Sequence, residues 1–114
     1  MPPRDWRFRI EDILAAIGKI TEYSRSLDQQ TFAAELRTIE AVCFNFAIIG
    51  EAASKLPASI TNVHPEIPWR LMQDMRNFVV HSYWGINPDV LWDTIHRDLP
   101  PLVAPLRQIL ENTA

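Results

Sequence analysis

The sequence predicts an all-α protein, an antiparallel four-helix bundle with an additional short helix. Four segments repeat apolar residues at intervals of three and four, the spacing of one helix face. No segment alternates with period two, and no Asn-Gly or Asp-Gly turn marks a hairpin. The 114 residues leave room for one core, so residues 1–114 are read as a single domain.

Helix one is expected from about Asp5 to Tyr23, where Ile10, Ile13, Leu14, Ile17 and Ile20 line one face. Ser26-Leu27-Asp28-Gln29 reads as a capping box that starts a short helix anchored by Phe32. The stripe resumes through Leu36, Ile39, Val42, Cys43, Phe46, Ile49, Ala53 and Leu56. Ala47, Gly50, Ala52 and Ala53 allow another helix to approach closely near its end. Pro57 stops this helix, and the stretch from Pro57 to Pro68 reads as the longest loop. Pro68 suits the first helical position of the next segment, which runs through Trp69 and Met72. Asn87-Pro88-Asp89 supplies an N-cap, a proline and an acid for the last long helix, lined by Leu91, Ile95 and Leu99. Pro100 and Pro101 should kink or restart it, while Leu102, Leu106, Ile109 and Leu110 continue the stripe.

Composition narrows the partners. A net charge of −3 is the wrong sign for holding nucleic acid mainly by counterion release, so any RNA contact must be local. Arg70, Arg76 and His81 against Asp74 permit one small basic patch. No apolar run approaches a membrane span, and the opening Met1-Pro2-Pro3-Arg4-Asp5-Trp6 lacks the apolar core of a signal peptide, so a cytoplasmic protein is expected. Cys43, the single cysteine, reads as a small apolar core residue. His64, His81 and His96 lack the short spacing that preorganises zinc, and no metal or cofactor is expected. Trp69, Trp84 and Trp92 are read first as core or interface anchors, with base stacking as the second use.

Arg76-Asn77-Phe78-Val79-Val80-His81-Ser82-Tyr83 gathers a fixed cation, an amide, an imidazole and a phenol. An arginine can grip a phosphate through paired hydrogen bonds, and a histidine can move a proton near neutrality. The commoner use of such a stretch is a capped helix end with a surface Arg and a half-buried His. On a regular helix the four polar groups span an arc of about 160°, wide for one compact site. The helix distorts, or the Arg swings round, or a second copy of the chain supplies half of the groups across a symmetric cleft. Such a cleft would suit attack of an RNA 2′-hydroxyl on the adjacent phosphorus, with Arg76 and His81 catalytic and Asn77 supporting. Glu51, among small residues, is either a supporting carboxylate near His81 or Arg76 or an exposed helix acid.

The chain resembles the HepT-like toxins of the HEPN superfamily, and the likeness is ordered along nearly its whole length. It is carried by Ile13-Leu14-Ala15-Ala16-Ile17, by Ile49-Gly50-Glu51-Ala52 with Leu56-Pro57, and by Ile67-Pro68-Trp69 followed by Met75-Arg76-Asn77. His81-Ser82-Tyr83 and Asp98-Leu99-Pro100 continue it. The resemblance implies a helical bundle that dimerises through the motif face and cleaves RNA without a metal at a composite site. It implies that Arg76 and His81 are catalytic and Asn77 their polar neighbour. It also implies pairing with an MntA-type nucleotidyltransferase antitoxin in a type II or type VII-like system, with AMP transfer to Tyr83. A noncatalytic adaptor or nucleotide-binding partner of a nucleotidyltransferase is the alternative.

Overall fold

A computed structural model describes residues 5–82 and 85–112. Among them there is no strand, as the missing period-two pattern predicts. The helices are α1 (Trp6–Ser24), α2 (Gln29–Ala34), α3 (Leu36–Ser54), α4 (Ala58–Thr61), α5 (Trp69–Ser82), α6 (Pro88–Asp93) and α7 (Pro100–Asn112), with a π-helical turn, Thr94–Asp98, between the last two.

α3 is the central element and packs against α1 on one side and α5 on the other. α7 lies against α1, and α2 bridges α3 and α6. The core is built from the predicted stripes: Ile10, Ile13, Ile17 and Ile20 meet Val42, Phe46, Ile49 and Ala53, and Leu91, Ile95, Leu99, Leu102, Leu106 and Ile109 close the other side. Burying one such side chain contributes about 1.5–3 kcal/mol. Leu36, expected in the stripe, is instead 66% exposed at the first position of α3.

Local chemistry moves several expected boundaries. The capping box is Asp28 with Thr31, not Ser26 with Gln29: the Thr31 amide donates to Asp28 Oδ1 at 2.8 Å, and the Asp28 amide donates to Thr31 Oγ1 at 2.9 Å. A carboxylate outcompetes a hydroxyl as acceptor for helix amides, and these bonds lower the Asp28 pKa. Pro68 precedes α5 instead of occupying its first position, and its carbonyl accepts from the Met72 amide at 3.3 Å. The expected loop contains the single turn α4 and folds back so that Ile67 is buried and the Trp69 indole donates to the His64 carbonyl at 3.0 Å.

The other signals appear where expected. Asn87 caps α6 by accepting from the Asp89 amide at 2.9 Å, with Pro88 just inside. Ahead of Pro100 and Pro101 the helix widens, and the Leu99 amide reaches the Thr94 carbonyl five residues back at 3.1 Å. Prolines lack the amide that a continuous α-helix needs, so the register slips and restarts. Among the described residues no helix is long and apolar enough to cross a membrane.

Candidate functional site

The site begins with a close crossing of two backbones. A Cβ on Gly50 would come within 2.6 Å of the Arg76 backbone nitrogen and closer still to its Cβ. Only a residue without a side chain fits there, so α3 and α5 meet at Gly50 and Arg76. The Arg76 side chain leaves this crossing toward α3. Its Nε lies 3.3 Å from Glu51 Oε2, and Glu51 Oε1 lies 3.8 Å from the Lys55 ammonium. The Arg76 and Glu51 side chains are 50% and 47% exposed, so the pair sits at the rim of the fold and not in its core.

The structure therefore brings Glu51 to Arg76 and not to His81. Asn77 and His81 follow on α5, one turn apart and both exposed, and neither side chain is hydrogen-bonded among the described residues. α5 stays α-helical through Ser82, which removes distortion between Arg76 and Ser82 as the way to close the arc. At 100° per residue Arg76 and His81 point about 140° apart. Tyr83 and Trp84, the expected modification site and its neighbour, lie outside the described residues.

The basic patch is narrower than its residue count suggested. Arg70 pairs with Asp74 at 3.6 Å, and Arg76 is offset by Glu51. His64 lies 3.6 Å from Glu66, and the His96 ring stacks on Trp92 at 4.0 Å. Among the described residues no three His, Cys, Asp or Glu side chains converge. Cys43 is buried, and desolvation, with the nearby Glu40 charge, pushes its thiol up to about 11. At neutral pH it is therefore a thiol with little nucleophilic character.

Sequence reasoning did not anticipate what lies beside Arg76. A groove of about 500 Å³ runs over the outer face of α3, walled by Arg9 and Asp12 of α1, floored by Phe44 and Ile48, and closed by Glu51 and Arg76. One signal was available: Phe44 is an aromatic out of phase with the α3 stripe, and it is 66% exposed. The position of Arg9 across the groove follows only from how α1 packs on α3.

Fold and site together define a class, an all-α HEPN-like bundle that carries an exposed arginine and an exposed histidine five residues apart on one helix. Comparison with known proteins adds the family. The model of the ribonuclease HepT-like family matches residues 13–109. The chain is 41% identical over 93 residues to the protein named "Probable ribonuclease HepT" of Thermococcus cleftensis, covering 82% of this chain and 84% of that one. It is 30% identical over 112 residues to "Putative RNase MJ0127" of Methanocaldococcus jannaschii, covering 98% and 93%. It is 28% identical over 103 residues to "Putative RNase TTE0752" of Caldanaerobacter subterraneus, covering 90% and 92%. No solved structure matches. The chain belongs to the HepT-like ribonuclease family of the HEPN superfamily.

Proposed function

We propose that the chain is a metal-independent endoribonuclease, the toxin of a cytoplasmic toxin–antitoxin system, acting as a homodimer. The observation that carries this reading is the intact pair Arg76 and His81, both exposed on α5, in a chain of this family. In the reaction the RNA 2′-oxygen bonds to phosphorus as the bond to the 5′-oxygen breaks, leaving a 2′,3′-cyclic phosphate. One His81 takes the proton of the 2′-hydroxyl or gives one to the departing 5′-oxygen, and its symmetry mate serves the opposite end. Arg76 neutralises charge growing on the phosphate oxygens. Asn77, one turn before His81, orients the imidazole or holds the substrate. An acid, a base and a cation complete this chemistry.

The angle of about 140° between Arg76 and His81 supports two chains facing each other, because a single regular helix does not aim both at one phosphate. Cleavage of RNA in EDTA by the wild type, and none by a folded His81→Ala variant, is the expected result. Equal cleavage by both would remove His81 from the mechanism.

Regulation by a minimal nucleotidyltransferase antitoxin completes the proposal. The Tyr83 phenolic oxygen bonds to the α-phosphorus of ATP as pyrophosphate leaves, and the AMP so attached places an anion two residues from His81, where it competes for the phosphate site and repels RNA. Incubation with the antitoxin and ATP should raise the mass of the wild type by one AMP and leave Tyr83→Phe unchanged. A shift that persists in Tyr83→Phe moves the acceptor elsewhere.

The acidic net charge and the Glu51 counter-charge favour one second reading, a noncatalytic partner of a nucleotidyltransferase. Copurification with such an enzyme, without RNA cleavage, would select it.

A further inference from the structure

The groove beside Arg76 holds two groups that neither the core nor the cleavage step uses. Phe44 keeps 66% of its surface exposed on the outer face of α3, while Phe46, two residues on, is buried. At 100° per residue Phe44, Ile48 and Glu51 share an outward strip about 60° wide, so the ring lies on the floor that leads to the Glu51 and Arg76 pair. Arg9 is the second group. Its neighbour Arg7 lies over the Trp6 ring, and Arg76 and Lys55 are paired with Glu51. The Arg9 side chain has no ion pair or hydrogen bond among the described residues.

We propose that this groove seats the single-stranded RNA next to the scissile phosphate, with Phe44 stacking a base and Arg9 holding a neighbouring phosphate. Arg9 of α1 and Arg76 of α5 line the groove with Phe44 on its α3 floor, alongside Asp12 and Glu51, so a strand whose phosphates meet the two guanidiniums can lay a base on the ring. Its volume of about 500 Å³ falls within the range of about 300–1,000 Å³ typical of small-ligand sites. A base of any identity can cover Phe44, because every base offers a π face, so this contact gives affinity without strong sequence choice. An acidic chain gains local attraction in this way without a general basic surface. The assignment rests on the ribonuclease reading for the identity of the strand, and its test is separable from cleavage.

The test is binding of a fluorescent single-stranded oligonucleotide with every 2′-hydroxyl methylated, which cannot be cut, alongside cleavage of the unmodified strand. Arg9→Ala and Phe44→Ala should each weaken binding about fivefold to tenfold. Phe44→Trp should bind as the wild type does, and Arg9→Lys should recover part of the loss. Arg9→Ala should also flatten the dependence of log affinity on log salt by about 0.7, the loss of one phosphate contact on a single strand. Arg107→Ala, on α7 outside the groove, controls for net charge. Weaker binding in the two groove variants, with no cleavage by any form, keeps the groove and overturns the ribonuclease reading. Cleavage that depends on His81, with binding and salt slope unchanged in both variants, overturns the groove. Conversion of a dimer to a monomer by Phe44→Ala in sedimentation, with normal binding by Arg9→Ala, also overturns it by making the groove a seam between copies.

Discussion

Arg76 is fixed at two points, by its backbone against Gly50 and by its Nε against Glu51, and this decides what its guanidinium can still do. With Nε engaged, the terminal nitrogens remain to meet phosphate oxygens. An ion pair this exposed contributes only about 0–1 kcal/mol to stability, so its consequence is orientation. Glu51→Gln should therefore lower kcat for RNA cleavage on the order of tenfold, equivalent to about 1.4 kcal/mol, while KM and the melting temperature stay close to wild type. Thermal unfolding beside steady-state kinetics checks this, and a stability loss large enough to explain the activity loss would make Glu51 a fold residue. The sequence showed Glu51 as an acid among small residues near the motif helix. Its partner was not legible, because Arg76 and His81 were equal candidates until the α3 and α5 crossing placed one of them.

That crossing is a property of two helices and depends on a missing side chain. Alanine at position 50 would gain roughly 1 kcal/mol of helix propensity over glycine. Against this, its Cβ would meet backbone and Cβ atoms of Arg76, which have no rotamer to yield, and overpacking of this kind costs about 1–3 kcal/mol. Gly50→Ala should therefore be mildly destabilised in denaturant titration, and cleavage should fall further than stability because α5 is displaced at Arg76 itself. Full activity in a stable Gly50→Ala protein would show that the close approach is dispensable. Elements of this length were readable from period alone, as α1, α3 and the α6 to α7 stripe show. The single turn α4 was not, since four residues leave no period, and the α2 cap was misplaced by two residues because Ser26 and Asp28 both offer an acceptor. Pro100 and Pro101 announced an interruption, but its π geometry depends on how the core holds Ile95 and Leu99 on either side.

In the proposed dimer, each site is completed by one chain or by two, and the two arrangements behave differently when variants are mixed. The spacing of Arg76 and His81 sets an arc that the regular α5 preserves, so helix geometry, and no contact within one protomer, supports two chains. If each composite site takes Arg76 from one protomer and His81 from its partner, two inactive variants should complement. Arg76→Ala and His81→Ala chains, denatured together in equal amounts and refolded, should form mixed dimers as half of the population. In each mixed dimer one site has lost both groups and the other has kept both, so cleavage should recover to roughly a quarter of wild type. Refolding either variant alone should give none. If Arg76 and His81 of the same chain act together, every site in the mixture carries a lesion and no activity returns. The two-histidine form of the mechanism, in which His81 and its symmetry mate act at opposite ends of one bond, gives no complementation either, because each mixed dimer retains only one His81. Titrating His81→Ala into wild type separates these two failures: when both histidines are required the mixed dimers are dead and activity falls as the square of the wild-type fraction, whereas same-chain sites lose activity only in proportion to it.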